Sequence, residues 1–264
     1  RFSENISLDA GPDRHKFKNA VNIHGMSLNV ASADIQLVNM WTCLETLAPS
    51  DRSSSKIANV VNRISPILML GYFNRIISNA LFDVIRWDRR KLTEAISMIS
   101  DSAEGDLKSK FVRLLSNEEN DKARDFLLRE FSYFELLRNR ISRISEILSD
   151  RKKAKEKLIS HKILVEWQIH RIYRTRNSIV HSGGSPDYTN YLVENAHDFF
   201  DQTLLFCLEL SGWKQGFNTF ASCFDYAEAQ YRSYLTTLKS GGEGGIVWQL
   251  PKYRDKSVVF GGSD

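Results

Sequence analysis

An all-α fold is what this sequence predicts, and three observations predict it. Apolar residues recur at steps of three and four along nearly the whole chain, the period of a helix with one buried face. Residues that break helices are few: 5 prolines and 14 glycines in 264 residues, with four of the glycines gathered in "GGEGG" near the end. No stretch ahead of the tail alternates apolar and polar residues as a strand does.

Asp13 to Ala31 reads as the first helix. Ser32 or Asp34 caps a second, "ADIQLVNMWTCLETLA", which Pro49 stops. "SDRSSS" is a capping loop, and a helix starts near Ser54. Pro66 in "RISPILML" is expected to divide that helix, because proline removes a backbone donor and clashes with the preceding turn. A helix follows to Trp87, then shorter ones in "RRKLTEAISMIS" and "DLKSKFVRLL". Asn117 to Asp150 reads as one long amphipathic helix. Its stripe of Leu127, Phe131, Phe134, Leu137, Ile141, Ile144 and Leu148 suits a core, with a dimer seam as the alternative.

A basic helix then runs from about Arg151 to His181. "GGSPDYT" ends it, since glycine permits a left-handed cap and proline forbids continuation. Tyr188 to Trp213 and Asn218 to Lys239 are the last two helices, and the remainder reads as an irregular tail. The expected organisation is a single helical domain over residues 1–240, with a core of about 13–213 and a tail or linker at 241–264.

The 42% apolar and 26% charged content is that of an ordinary soluble protein. Cys43, Cys207 and Cys223 are an odd number, none at metal-ligand spacing, and each lies in a helical apolar pattern. Buried free thiols are expected, which suits a reducing cytoplasm. No apolar run approaches the roughly 18 residues of a membrane span. The chain opens on Arg1 with no signal peptide, and the expectation is a fragment of a longer protein. Net charge is a mild +4, but nine Lys and Arg lie between Arg151 and Arg176 against Glu156 and Glu166. Such a helix suits a polyanion; a solvated face is the alternative.

On a helical wheel, Val165, Ile169, Ile172, Tyr173, Ile179 and Val180 fall within one arc, and Arg176 lies inside it. A guanidinium against apolar neighbours needs a partner or a cleft. Beside that arc runs a strip of His170, Arg174, Asn177 and His181. The second helix has a matching oddity: Glu45 sits within the arc of Leu37, Val38, Trp41, Leu44 and Ala48. The two opposite charges suggest that Glu45 pairs with Arg176 or orients it, a core ion pair without chemistry being the alternative.

"RNSIVH", preceded by "IYRT" and followed by "SGG", resembles the signature of HEPN domains, an arginine and a histidine with four to six residues between them. "QLVNMWTCLETL" is similar to the first core helix of the ApeA-like HEPN branch, and the two stretches come in the order that branch has. The resemblance covers roughly Asp13 to Trp213. It implies a HEPN-type helical bundle with extra helices, and the activity of a metal-independent endoribonuclease of toxin or antiphage type, with no cofactor and no metal. It implies Arg176 and His181 as the catalytic pair, Asn177 as the polar neighbour and Glu45 as the supporting acid. It also implies a homodimer whose two motifs line one cleft, and a sensor or regulatory domain outside this chain.

Arg174, His170, Arg171 and Lys162 are the candidate RNA contacts. The runner-up function is a catalytically silent HEPN-like module that dimerises or binds RNA or nucleotide.

Arg176 and His181 lie about 140° apart on a regular helix, whereas Arg174 and His181 are nearly eclipsed. Arg176 is preferred for its Arg-Asn dipeptide, on the condition that the helix loosens before Gly183; Arg174 is the reserve. Some HEPN toxins carry a tyrosine two residues after the histidine, where Gly183 stands here, so control by modification of that tyrosine has no support. "GGEGG" lacks the Lys-Ser/Thr of a phosphate-binding loop and reads as a linker. The histidine spacings do not suggest zinc. Trp167, Tyr173 and Tyr188 could stack on unpaired bases, packing being the alternative.

Overall fold

A computed structural model describes residues 11–50, 55–100, 105–213 and 217–239. Among them are nine α-helices, one short 3-10 helix and no strand, so the all-α expectation holds. The helices are α1 (Arg14–Leu28), α2 (Ala33–Leu47), α3 (Lys56–Ser97), α4 (Leu107–Ser116), α5 (Asp121–Glu130), α6 (Glu135–Ser149), α7 (Arg151–Ser182), α8 (Thr189–Trp213) and α9 (Phe220–Thr237). The tail expected at 241–264, with "GGEGG", lies outside the described residues.

Caps set most boundaries. Ser32 Oγ accepts from the amide of Ile35 and opens α2. Asp106 accepts from Ser109 N at 2.8 Å and opens α4, and hydrogen bonds from the Ser109 side chain first and its amide second hold the Asp106 carboxyl below the ordinary range. Asp150 accepts from Lys152 N at 2.8 Å and opens α7, and Thr219 Oγ1 accepts from Ser222 N at 3.1 Å in α9. Asp13 departs from this pattern. It makes no side-chain cap on α1; its carboxylate accepts instead from Phe220 N at 2.8 Å, the first residue of α9. The first helix ends three residues before Ala31, where Asn29 closes it by donating Nδ2 to Gly25 O at 2.9 Å.

Two expectations about helix breaks are corrected. Pro66 does not divide α3: it is buried within a helix that continues through it. Its missing N–H forfeits one rung, and the apolar neighbours Ile64, Ile67, Leu68 and Leu70, all buried, hold the turns on either side. The break falls at Asp88, whose backbone leaves the helical region (φ −155°, ψ 95°) while its carboxylate caps Arg90 N at 2.9 Å and Lys91 N at 3.0 Å. This is the boundary after Trp87 that the sequence predicts.

The single helix expected over 117–150 is three pieces: a 3-10 turn (Glu118–Asn120), α5 and α6. Asn120 ties the first junction, donating Nδ2 to Arg113 O at 3.1 Å. At the second, "FSYF" turns, with Phe134 N bonded to Phe131 O at 2.9 Å; this lets Phe131 bury itself and Phe134 stack on Trp87. A helical pattern of apolar residues survives a turn that re-enters in phase, so periodicity alone conceals it.

The described residues form two compact units, one drawn from those within 11–70 and 160–233, the other from those within 71–159 and 234–239. In the first, α1 packs on α2 and α2 on α8, around fully buried Trp41, Phe200, Phe220 and Phe224. In the second, α4 packs on α6 over Phe111, Leu127, Phe131 and Ile141, and Ser145 Oγ donates to Leu115 O at 2.7 Å inside that core. Each such ring removes some 150–250 Å² from water. The three cysteines are buried free thiols, as expected, and burial pushes the Cys43 thiol up to about 12.

Candidate functional site

The second half of α7 carries the predicted site, and its inner face is fixed by packing. Val165, Ile169, Ile172 and Thr175 are buried. Tyr173 meets Trp41 of α2 with ring centroids 5.0 Å apart, so of the three aromatics considered for base stacking, Tyr173 serves packing. The loop after α7 is tied to α2 as well, because Ser185 Oγ donates to Asp34.

The helix does not loosen before Gly183, and the condition attached to Arg176 is not met. Gly183 N donates to Ile179 O at 3.1 Å, an ordinary helical rung, and Gly183 itself takes the left-handed conformation (φ +64°) that ends the helix. In a helix regular to its end, Arg176 and His181 leave the axis about 140° apart, and Arg174 and His181 about 20° apart. Arg174 and His181 are both exposed; Arg176 and Asn177 are half-buried. The Arg176 guanidinium donates Nη1 to Asn177 Oδ1 at 3.0 Å, and its Nε is buried without a hydrogen-bond partner.

The pairing of Glu45 with Arg176 is also corrected. The Glu45 carboxylate lies 3.8 Å from Lys56 Nζ, at the start of α3, and that is its ion pair among the described residues. Glu45 lies about 40° off the centre of the α2 arc, at its edge rather than its middle.

Of the candidate RNA contacts, Arg174 is exposed and His170 half-buried. Lys162 forms an ion pair with Glu166 one turn on. A surface pair at that spacing is worth only about 0.3–0.5 kcal/mol, so a phosphate could displace it. Arg171 lies over the Tyr188 ring, 4.8 Å from its centroid, and reaches Gln168 Oε1 at 3.4 Å. Trp167 is 67% exposed, and Ile163 and Leu164 beside it are exposed too. Ile163, Trp167, His170, Arg174, Asn177 and His181 share one side of α7, apolar at its start and basic at its end.

One polar cluster has no counterpart in the sequence reading. His24 of α1 and His197 of α8 meet, Nε2 to Nδ1, at 3.1 Å, with Asp201 Oδ1 3.6 Å from His24 Nε2 and the Phe200 ring against His24. Burial and the His24 charge together hold His197 below the ordinary imidazole value, with Asp201 opposing them. The partners are 173 residues apart, so no local pattern could announce them. Among the described residues no group of three or more His, Cys, Asp or Glu is placed to hold a metal ion, and no helix is long and apolar enough to cross a membrane.

No protein-family model matches the chain, and no curated protein or solved structure matches it.

Proposed function

We propose that the chain is a metal-independent endoribonuclease domain of the HEPN kind, working from the exposed end of α7. The observation that carries this reading is the shared face of Arg174 and His181, both in solvent, with Asn177 between them and the Arg176 guanidinium bonded to Asn177. RNA supplies its own nucleophile, the 2′-OH beside the scissile phosphate. The His181 imidazole removes that proton or protonates the departing 5′-oxygen, while a guanidinium holds the phosphate oxygens as charge builds in the transition state. The products are a 2′,3′-cyclic phosphate and a 5′-hydroxyl.

Arg174 takes the phosphate role in this proposal, and Arg176 positions Asn177 from behind. No proton-transfer step is assigned to Glu45. The exposed Ile163, Leu164 and Trp167, leading into the basic end of the same helix, support a homodimer in which a second copy covers that apolar stretch and brings its own His181 to the cleft. In such a pair one imidazole acts as base and the other as acid. The proposal makes the chain the cytoplasmic effector part of a toxin or antiphage protein, restrained by a sensor domain beyond this chain.

The test is incubation with total RNA in EDTA, followed by sequencing of 5′-hydroxyl ends. Cleavage is expected from the unaltered chain and not from His181→Ala, with Arg174→Ala more damaging than Arg176→Ala. Undiminished cleavage by His181→Ala refutes the assignment. The wide angle between Arg176 and His181 on an unbroken helix favours a second reading, a silent module that binds RNA and leaves it whole. That reading predicts retarded but intact RNA.

A further inference from the structure

The second unit carries a surface that the reading above does not use. The break in α3 at Asp88 lies along the turn between α5 and α6, and three contacts register the two segments. Asp83 pairs with Arg140 before the break; Trp87 stacks on Phe134 at the break, with centroids 4.6 Å apart and planes 25° apart; Lys91 pairs with Glu130 at 3.5 Å after it. Phe134 thus takes one side of the Trp87 ring, and Trp87 is still 51% exposed. The neighbouring Tyr133 is 97% exposed, so it contributes almost nothing to the core.

The unpaired charge around these rings is mostly positive, with the exposed Glu135 beside Phe134 as a carboxylate of opposite sign. Arg86, Arg89 and Arg90 are exposed, and their side chains make no hydrogen bond or ion pair among the described residues. Four of the nearby carboxylates are already engaged: Asp83 by Arg140, Asp88 by two backbone amides, Glu94 and Glu130 by Lys91. Two aromatic faces in water beside three unneutralised guanidinium groups suit a ligand that alternates flat rings with anions.

We infer that this surface binds single-stranded RNA, with bases stacked on Trp87 and Tyr133 and phosphates held by Arg86, Arg89 and Arg90. Duplex RNA keeps its base faces stacked internally and has none to offer a platform of this kind. The choice of RNA among single-stranded nucleic acids rests on the function proposed above; the stacking and charge argument does not.

The experiment is fluorescence anisotropy of an end-labelled oligo-uridylate, measured on the full chain bearing His181→Ala so that cleavage cannot interfere. Tyr133→Ala, too exposed to disturb the fold, weakens binding about tenfold through the loss of one stack. A triple change of Arg86, Arg89 and Arg90 to alanine weakens it further and lowers the salt dependence, the slope of log K against log salt, by about 2. A duplex binds at least about tenfold more weakly than the single strand.

Unchanged affinity and salt slope in these variants overturn the inference, even if the chain cleaves RNA. Polyglutamate competing as well as RNA at equal charge overturns it in favour of an acidic protein. Loss of affinity in Tyr133→Ala, in a chain that never cleaves, supports this surface and removes the nuclease reading alone.

Discussion

Replacing Arg176 by methionine separates a structural guanidinium from a working one. In the native chain its Nε is buried with no acceptor, and its one hydrogen bond is to the adjacent Asn177. An unsatisfied buried donor costs about 1–3 kcal/mol, and the Asn177 bond returns about 0.5–1.5 kcal/mol. Methionine fills a similar path along the apolar arc and removes both terms, so a net gain of about 1 kcal/mol is expected. For a chain of this size that raises the melting temperature by about 2–4 °C. Urea unfolding followed by circular dichroism measures the change, with the exposed Arg174→Met as a control expected within about 0.5 kcal/mol of the original. If Arg176 serves the RNA site, the stabilised variant cleaves or binds RNA less well, the usual conflict between stability and function. A loss of 1 kcal/mol or more refutes the reasoning, because the guanidinium would then have a strong native partner.

The remaining predictions concern titration and reactivity. His197 has a folded-state value held below the ordinary 6.5, so the unfolded chain binds its proton more readily. Stability is therefore full above pH 6.5 and is lost as pH falls from there through the lower folded value; the urea midpoint should drop between pH 7.5 and 5.5, and His197→Gln should flatten that drop. Cys43, buried with its thiol pushed up to about 12, should resist alkylation at pH 8 in the folded chain and react once urea unfolds it. Mass spectrometry of the labelled chain gives that answer directly.

What local sequence controls was legible from the residues themselves. Ser32 opens α2, and Gly183 closes α7 in a left-handed turn. The "WDRR" stretch ends one helix and starts another, because Asp88 can cap the amides that follow it. Pro66 misled because its single missing donor is a local deficit, outweighed by burial on both sides that no local rule sees. The "FSYF" turn was hidden for the opposite reason: its phenylalanines keep the helical rhythm while the backbone leaves it. In the candidate site, the wheel placed Arg174, Asn177 and His181 together, since one helix determines that. It could not pair Glu45, which has Lys56 eleven positions on as a nearer cation than Arg176, nor bring His24 to His197, which is a product of tertiary packing.

The bond from Phe220 N to the Asp13 carboxylate joins residues 207 positions apart. It has a bearing on synthesis. The first unit draws on 1–70 and on 160–233, so roughly 90 intervening residues must leave the ribosome before its partners meet. At about 5–20 residues per second that is a delay of about 5–20 s, during which Leu37, Met40, Trp41 and Leu44 of α2 have α1 but not α8 to pack against. Contacts this remote also fold slowly. Helices α1 and α2 thus complete their packing only after that delay, with the Phe220 amide as the late clasp on Asp13.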